Sequence, residues 1–214
     1  MTICPLCLNK KSFTIIEGKN RITYKRCEVC KLIFIDSYFL PSATEEKKRY
    51  LTHKNGIQQK GYVDFLMQAI EPALPYINTE MQGLDFGCGP NPTLSEILGQ
   101  MGYTCSNYDP FFFPELPDKK FDFIFATECF EHFFFPAKDI VRIKNLLNPG
   151  GVLIVMTETW KTTERFVNWH YVRDPTHVCF FHDHSFKYVA EKFKFRQIES
   201  NSERVFMFKL NASE

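Results

Sequence analysis

The hydrophobic pattern changes character along the chain. Residues 83–86, 104–108, 121–126 and 151–156 are short apolar runs bounded by Gly, Pro or polar clusters, which predicts four strands. Residues 93–101 and 137–147 carry apolar positions at three- and four-residue spacing and predict helices, with 185–193 as a third. Residues 195–200 and 205–210 read as a closing antiparallel pair. Strands alternating with helices imply a mainly parallel sheet with helices on both faces. Upstream, Tyr62, Phe65, Leu66, Ala69 and Ile70 share one helical face, and that helix is expected to end before Pro72. Residues 41–62 begin as a polar connector. Pro41 breaks the preceding strand, and Ser42 or Thr44 can cap a short helix over the charged run 45–49.

The first 36 residues follow another logic. Cys4 and Cys7 form one C-x-x-C pair, and Cys27 and Cys30 form a second after nineteen intervening residues. Between them, 13–16 and 22–25 read as strands around a turn at 17–20. Each C-x-x-C knuckle turns two sulfurs onto one ion, as in a Cys4 zinc ribbon. So short a segment cannot bury enough core to fold alone, and a metal supplies the missing stabilisation. Four thiolates leave no open coordination position, so the ion is assigned a structural role. The remaining cysteines, Cys88, Cys105, Cys129 and Cys179, read as small buried hydrophobes. The expected organisation is a zinc ribbon at 1–36, a connector and covering helix at 37–80, and an α/β domain at 81–214.

Charge narrows the partners. The net charge of +1 provides no overall field towards nucleic acid or membrane. It is unevenly spread: residues 1–50 hold ten Lys or Arg against five acids, and the rest hold sixteen against twenty. No run approaches the roughly 20 apolar residues of a membrane helix, and no leading segment has signal-peptide form. The expectation is a cytoplasmic protein without membrane contact, in which a bound metal is favoured over disulfides.

The candidate chemistry begins at Gly83-Leu84-Asp85-Phe86-Gly87-Cys88-Gly89-Pro90, with Asp109 twenty-four residues after Asp85. A strand runs into a glycine turn, and the next strand ends in an acid. The glycines let the backbone approach a nucleoside, and the later carboxylate takes ribose hydroxyls. The third glycine of a pyrophosphate cradle is missing. Asp85, two residues before Gly87, would repel a pyrophosphate and suit a cationic ligand.

This stretch resembles motif I of the class I S-adenosylmethionine-dependent methyltransferases, acidic-x-Gly-x-Gly. Residues 121–128 look like that family's fourth strand, Glu131-His132 follows as in many of its small-molecule members, and 146–155 look like the turn into its fifth strand. The resemblance implies a Rossmann-like sheet and S-adenosylmethionine as cofactor. It places Asp85 near the methionine ammonium and Phe86, Gly87 and Gly89 along the amino-acid and ribose parts. It puts Asp109 on the ribose diol and Glu128 near the methyl group. One departure is visible: only eleven residues, with Pro110, Pro114 and Pro117 among them, separate Asp109 from Phe121. The usual third strand and its helix do not fit there, and the acid that holds the adenine amino group has no counterpart. Phe111 or Phe112 is expected to pack on the adenine instead. His53, Asn55 and Tyr62 could reach the ligand from the covering helix.

The acceptor side is expected in the dense segment holding Trp160, Trp169-His170-Tyr171, Arg173-Asp174-Pro175-Thr176-His177 and Phe180-Phe181-His182-Asp183-His184. Uncharacterised bacterial methyltransferases with the same ribbon share its layout. A neutral histidine suits deprotonation of a hydroxyl or carbon acid near pH 7, and the order of preference is His177, His132, His170, then His182. A metal site from His177, His182, Asp183 and His184 is disfavoured, because alternate residues face opposite ways on a strand. The leading reading is methyl transfer to oxygen or carbon of a small or medium-sized acceptor. Alternatives are RNA methylation with the basic ribbon gripping phosphates, and a non-catalytic cofactor-binding adaptor.

Overall fold

The structure, a computed structural model, describes residues 2–19, 22–52 and 55–211. His53 therefore lies outside the described residues. Within them the strands form two sheets. The larger contains β4 (Gln82–Phe86), β5 (Thr104–Tyr108), β6 (Phe121–Thr127), β7 (Leu147–Met156), β9 (Phe195–Ile198) and β10 (Val205–Leu210) in the order β5-β4-β6-β7-β10-β9. The first four are parallel, and β10 and β9 add antiparallel at the far edge. No strand falls between β5 and β6 in the chain, so β5 is the edge, as the eleven-residue connection requires.

Period-two alternation divides the core into two faces. Phe123, Phe125, Val152, Ile154, Met156 and Met207 point to one side, where α2 (Lys60–Ala73) and α3 (Thr93–Gln100) supply Leu66, Ala69, Ile70, Ile97 and Leu98. Leu84, Ile124, Ala126, Leu153, Val155 and Phe208 point to the other, against α4 (Pro136–Leu146) and α6 (Asp183–Phe193). Helix α2 runs through Pro72 rather than stopping before it. The proline sits in the last turn, where a kink has little helix left to redirect.

The smaller sheet joins β1 (Phe13–Glu17), β2 (Thr23–Cys27) and β3 (Ile33–Ile35) to β8 (Cys179–Phe180), a strand from the other end of the chain. Ile33 pairs with Phe180 and Phe34 with Cys179. The cysteine-bearing segment shares one continuous apolar cluster with the α4 and α6 face. Polar contacts reinforce the seam: Trp160 Nε1 donates to the Lys31 carbonyl at 3.0 Å, and Ser185 Oγ to that of Cys30 at 2.8 Å. In the connector between β3 and β4, α1 (Ala43–Tyr50) starts at Ser42, whose hydroxyl and the Glu45 carboxylate form a reciprocal capping box. No helix among the described residues is long and apolar enough to cross a membrane.

Candidate active site

The carboxyl ends of β4, β5 and β6 open into a cavity of about 560 Å³. The turn after β4 forms one wall. Gly87 has φ +83° and Gly89 φ +67°, both left-handed values that favour glycine. A Cβ at Gly87 would lie 2.6 Å from Cys129 Sγ, whereas one at Gly89 would meet nothing within 4 Å. Gly87 is therefore required by packing as well as by conformation, and Gly89 faces open space. The amides of Gly87 and Cys88 both donate to the Tyr108 carbonyl, at 2.8 and 3.2 Å, which ties the turn to the end of β5.

Asp109 follows directly on β5. Its Oδ2 accepts from the Gly89 amide at 3.1 Å, and its Oδ1 from the amides of Phe111 and Phe112 at 2.8 and 3.1 Å. The carboxylate thus shapes the turn and the Pro110–Phe112 loop together. Asp85 is buried in β4 behind the cavity wall. Burial, and then the charge of Asp109, raise its pKa to about 7. Phe86, Gly87, Gly89, Asp109, Phe111 and Glu128 all line the cavity, and Asn55 and Tyr62 close it from the connector and α2. Cys88 also lines it and is half-buried, as is Cys105, so only Cys129 and Cys179 are the buried hydrophobes expected of the four.

The opposite end is built by the dense C-terminal segment. Asp174-Pro175-Thr176-His177 forms a turn with proline at its second position, closed by the His177 amide on the Asp174 carbonyl at 3.1 Å. Asp174 Oδ1 accepts from the Thr176 amide and hydroxyl, and Arg49 reaches Oδ2 from α1. Burial alone would raise Asp174, but these donors hold it down at about 2. The turn delivers His177 into the cavity opposite His132, with ring centroids 4.8 Å apart. His177 Nδ1 lies 2.8 Å from the Tyr171 carbonyl, and His132 Nδ1 2.9 Å from that of Thr176. A carbonyl only accepts, so both Nδ1 atoms carry the hydrogen and both Nε2 atoms keep a lone pair. Burial lowers the pKa of His177 and favours the neutral ring.

His170 and His182 are not brought to this site. His170 is 66% exposed at its side chain and faces Glu158, because Trp169 and Tyr171 on either side of it turn inward. His182 caps α6, its Nδ1 accepting from the His184 amide, and packs on Trp160. Glu128 stands at the end of β6 with φ +48°, a conformation that costs a non-glycine residue roughly 1 kcal/mol. One carboxylate oxygen lies 3.3 Å from the Tyr171 hydroxyl, whose hydrogen points to Glu131 at 2.5 Å, and the other is buried without a hydrogen-bond partner. Burial, and next the charge of Glu131, push its pKa well up.

Several lining residues carried no sequence signal. Glu46 is buried although it lies in a charged run, and it accepts from the Tyr50 hydroxyl at 3.1 Å. Arg142 stacks its guanidinium 4.6 Å above the Tyr108 ring. Glu131, next to the lining and not part of it, is fully buried beside His132 and was legible only as half of the Glu-His doublet.

At the other sheet, the sulfurs of Cys4, Cys7, Cys27 and Cys30 all lie within 4.8 Å of one another, with Cys4 to Cys30 at 3.5 Å and Cys7 to Cys27 at 3.4 Å. Such a cluster fits a tetrahedral thiolate-bound ion. The basic excess around it is partly spent in ion pairs: Lys25 with Asp36, Arg26 and Lys31 with Glu28, and Arg49 with Asp174.

The fold is shared with known enzymes. A solved S-adenosylmethionine-dependent methyltransferase from Archaeoglobus fulgidus superposes with a TM-score of 0.51 at 17% identity, over 81% of this chain and 100% of that one. An O-methyltransferase family protein from Burkholderia thailandensis gives 0.53 at 12% identity, over 82% and 66%. Identities this low speak to fold alone. No curated protein sequence matches the chain. The sequence profile of a family described as a methyltransferase domain does match, over residues 58–200, a span that holds the glycine turn, Asp109 and both cavity histidines. The chain belongs to this methyltransferase-domain family and is an enzyme of the methyltransferase class.

Proposed function

We propose that the protein transfers the methyl group of S-adenosylmethionine to oxygen or carbon of a small or medium-sized acceptor. The observation that carries this reading is the joining of two ends in one cavity: the glycine turn with Asp109 at one, and His132 and His177 with free Nε2 atoms at the other. Methyl transfer from a sulfonium is an in-line displacement that needs donor and acceptor aligned and, for a hydroxyl or carbon acid, a proton removed.

In this reading Asp85, buried behind the cavity wall, answers the ammonium group through water, and Gly87, Gly89 and the Phe86 backbone follow the amino acid and ribose. Asp109 keeps lone-pair capacity beyond its three amide bonds for a ribose hydroxyl. Phe111, 5.9 Å from the Tyr50 ring, offers a face to the adenine. Glu128 floors the pocket near the methyl group. Asp85, Asp109 and Glu131 are buried carboxyl groups around the cavity and Glu128 is a half-buried one, and the described lining holds one guanidinium, Arg142. This balance favours a cationic cofactor. His177 and His132 meet the acceptor; an RNA-gripping role for the ribbon is less favoured, because ion pairs engage three of its cations, Lys25, Arg26 and Lys31. Zinc on Cys4, Cys7, Cys27 and Cys30 serves structure.

Calorimetric titration with S-adenosylhomocysteine, beside an Asp109→Ala control, tests the cofactor assignment. Micromolar binding that disappears in the variant is expected, and absence of binding to the parent protein would overturn it. A screen of hydroxylated and carbon-acid acceptors with labelled cofactor then tests the acceptor class.

A further inference from the structure

The acid and imidazole groups at the histidine end of the cavity are also arranged to hold an ion, a role that takes up the Nε2 lone pairs otherwise available for proton removal. Glu131, His132 and His177 each offer a ligand atom, and these atoms lie within 4.8 Å of one another. Each is already oriented from outside. The two Nδ1 hydrogens are held by the carbonyls of Thr176 and Tyr171, which leaves both Nε2 lone pairs free. The Glu131 carboxylate accepts from Thr157 Oγ1 at 2.9 Å on one oxygen and from the Tyr171 hydroxyl at 2.5 Å on the other. An ionised carboxylate retains a second lone pair on each oxygen. Outer-shell hydrogen bonds of this kind fix the tautomer and orientation of metal-binding side chains. Tyr171 alone steadies two of the three, through its hydroxyl and its carbonyl.

Charge points the same way. Glu131 is fully buried and forms no ion pair with Lys or Arg among the described residues. Glu128, linked to it through Tyr171, has a buried oxygen with no hydrogen-bond partner. Two carboxylates sunk beside two imidazoles are costly without a cation among them. Two nitrogens and one oxygen suit a divalent transition ion. Three protein ligands leave coordination positions open, as catalytic metal sites do, and His132 and His177 both line the cavity.

We propose that Glu131, His132 and His177 form a second metal site, separate from the cysteine cluster, which holds a divalent cation with its open positions facing the cavity. The acceptor's role in this inference rests on the methyltransferase reading above; the ion binding does not. The acceptor class it implies is a hydroxyl compound that ligates the ion through oxygen. Coordination weakens the O–H bond, the proton leaves to water, the oxygen bonds to the methyl carbon, and the carbon–sulfur bond breaks to give the neutral thioether.

The test is cobalt(II) retention by the full-length protein, with its cysteine cluster loaded with zinc and excess metal removed by a weak chelator. The parent protein is expected to hold one equivalent of cobalt beyond its zinc after equilibrium dialysis. His132→Ala and His177→Ala are expected to bring that below a tenth, and Glu131→Gln to weaken binding at least tenfold, with zinc content unchanged. His177→Asn, which can still donate to the Tyr171 carbonyl, covers the case in which the alanine variant does not fold. No cobalt in the parent, or equal retention by folded variants, overturns the proposal. Cobalt binding without S-adenosylhomocysteine binding would sink the methyltransferase reading and leave the metal site standing; the converse would do the opposite.

Discussion

Asp109 and Gly89 are joined by a hydrogen bond of 3.1 Å from the Gly89 amide to Asp109 Oδ2, so the acid that ends β5 also holds the turn that ends β4. The same carboxylate accepts the amides of Phe111 and Phe112. Asp109→Ala strips three amides of their acceptor. Thermal unfolding should show a loss of roughly 3 kcal/mol, and calorimetry a drop in S-adenosylhomocysteine affinity of at least tenfold. A variant with full affinity would separate the carboxylate from the ribose.

The two glycines of the turn should respond differently to alanine. At Gly87 the new Cβ meets Cys129 Sγ as well as a left-handed backbone, and the cost should be about 2–4 kcal/mol of stability. At Gly89 only the backbone term remains, about 1 kcal/mol. There the methyl group enters the cavity, so lost affinity should exceed lost stability. Denaturant titration alongside calorimetry distinguishes the two.

Asp85 makes both stability and binding depend on pH. Unfolded, it ionises near the ordinary aspartate value of 3.8; folded, near 7. Between these values the folded state holds the extra proton, so this group costs stability as pH rises from about 4 to about 7, by roughly 4 kcal/mol in all. A ligand ammonium needs the ionised form. Affinity for S-adenosylhomocysteine should therefore rise about tenfold from pH 6 to pH 8. Asp85→Asn should flatten both profiles, and a rise that persists in that variant would assign the titration elsewhere.

Removing a cysteine ligand should affect the distant cavity unevenly. Cys27→Ser is expected to lower zinc content and thermal stability. The turn at Gly87 and Gly89 lies on the other sheet, whereas the Val178 carbonyl beside His177 accepts from the Ile35 amide of β3 at 3.1 Å. Turnover should fall further than S-adenosylhomocysteine affinity. An equal loss of both would mean that the ribbon supports the whole fold and not the histidine end in particular.

The sequence makes some of this architecture plain for physical reasons. Strands with period-two apolar residues and a glycine turn are local patterns, and β4 to β7 fall where those patterns lie. The missing strand between Asp109 and Phe121 follows from chain length alone. Pairing between remote segments leaves no such mark. Cys179 and Phe180 are two residues in an aromatic stretch, and nothing in their spacing says that they complete the sheet of β1 to β3. Glu46 looks like one charge in a solvated helix face, and its burial arises only because α1 is laid over the cavity beside Tyr50. Three histidines of similar context, His170, His177 and His182, are told apart by backbone turns a residue or two long. His177 follows the turn that Asp174 and Pro175 build; His170 falls between two inward-facing aromatic residues.

The pairing of β3 with β8 bears on how the chain is made. On a ribosome the cysteine segment emerges well before β8, and its sheet cannot be completed until Phe180 has been synthesised. Until then the edge of β3 and the apolar surface around Leu32 and Ile33 await their partner. Contacts so distant in sequence slow folding, and a nascent chain stalled before β8 presents a sticky, half-built edge to its neighbours. Cutting the chain after residue 36 would leave both pieces in that condition.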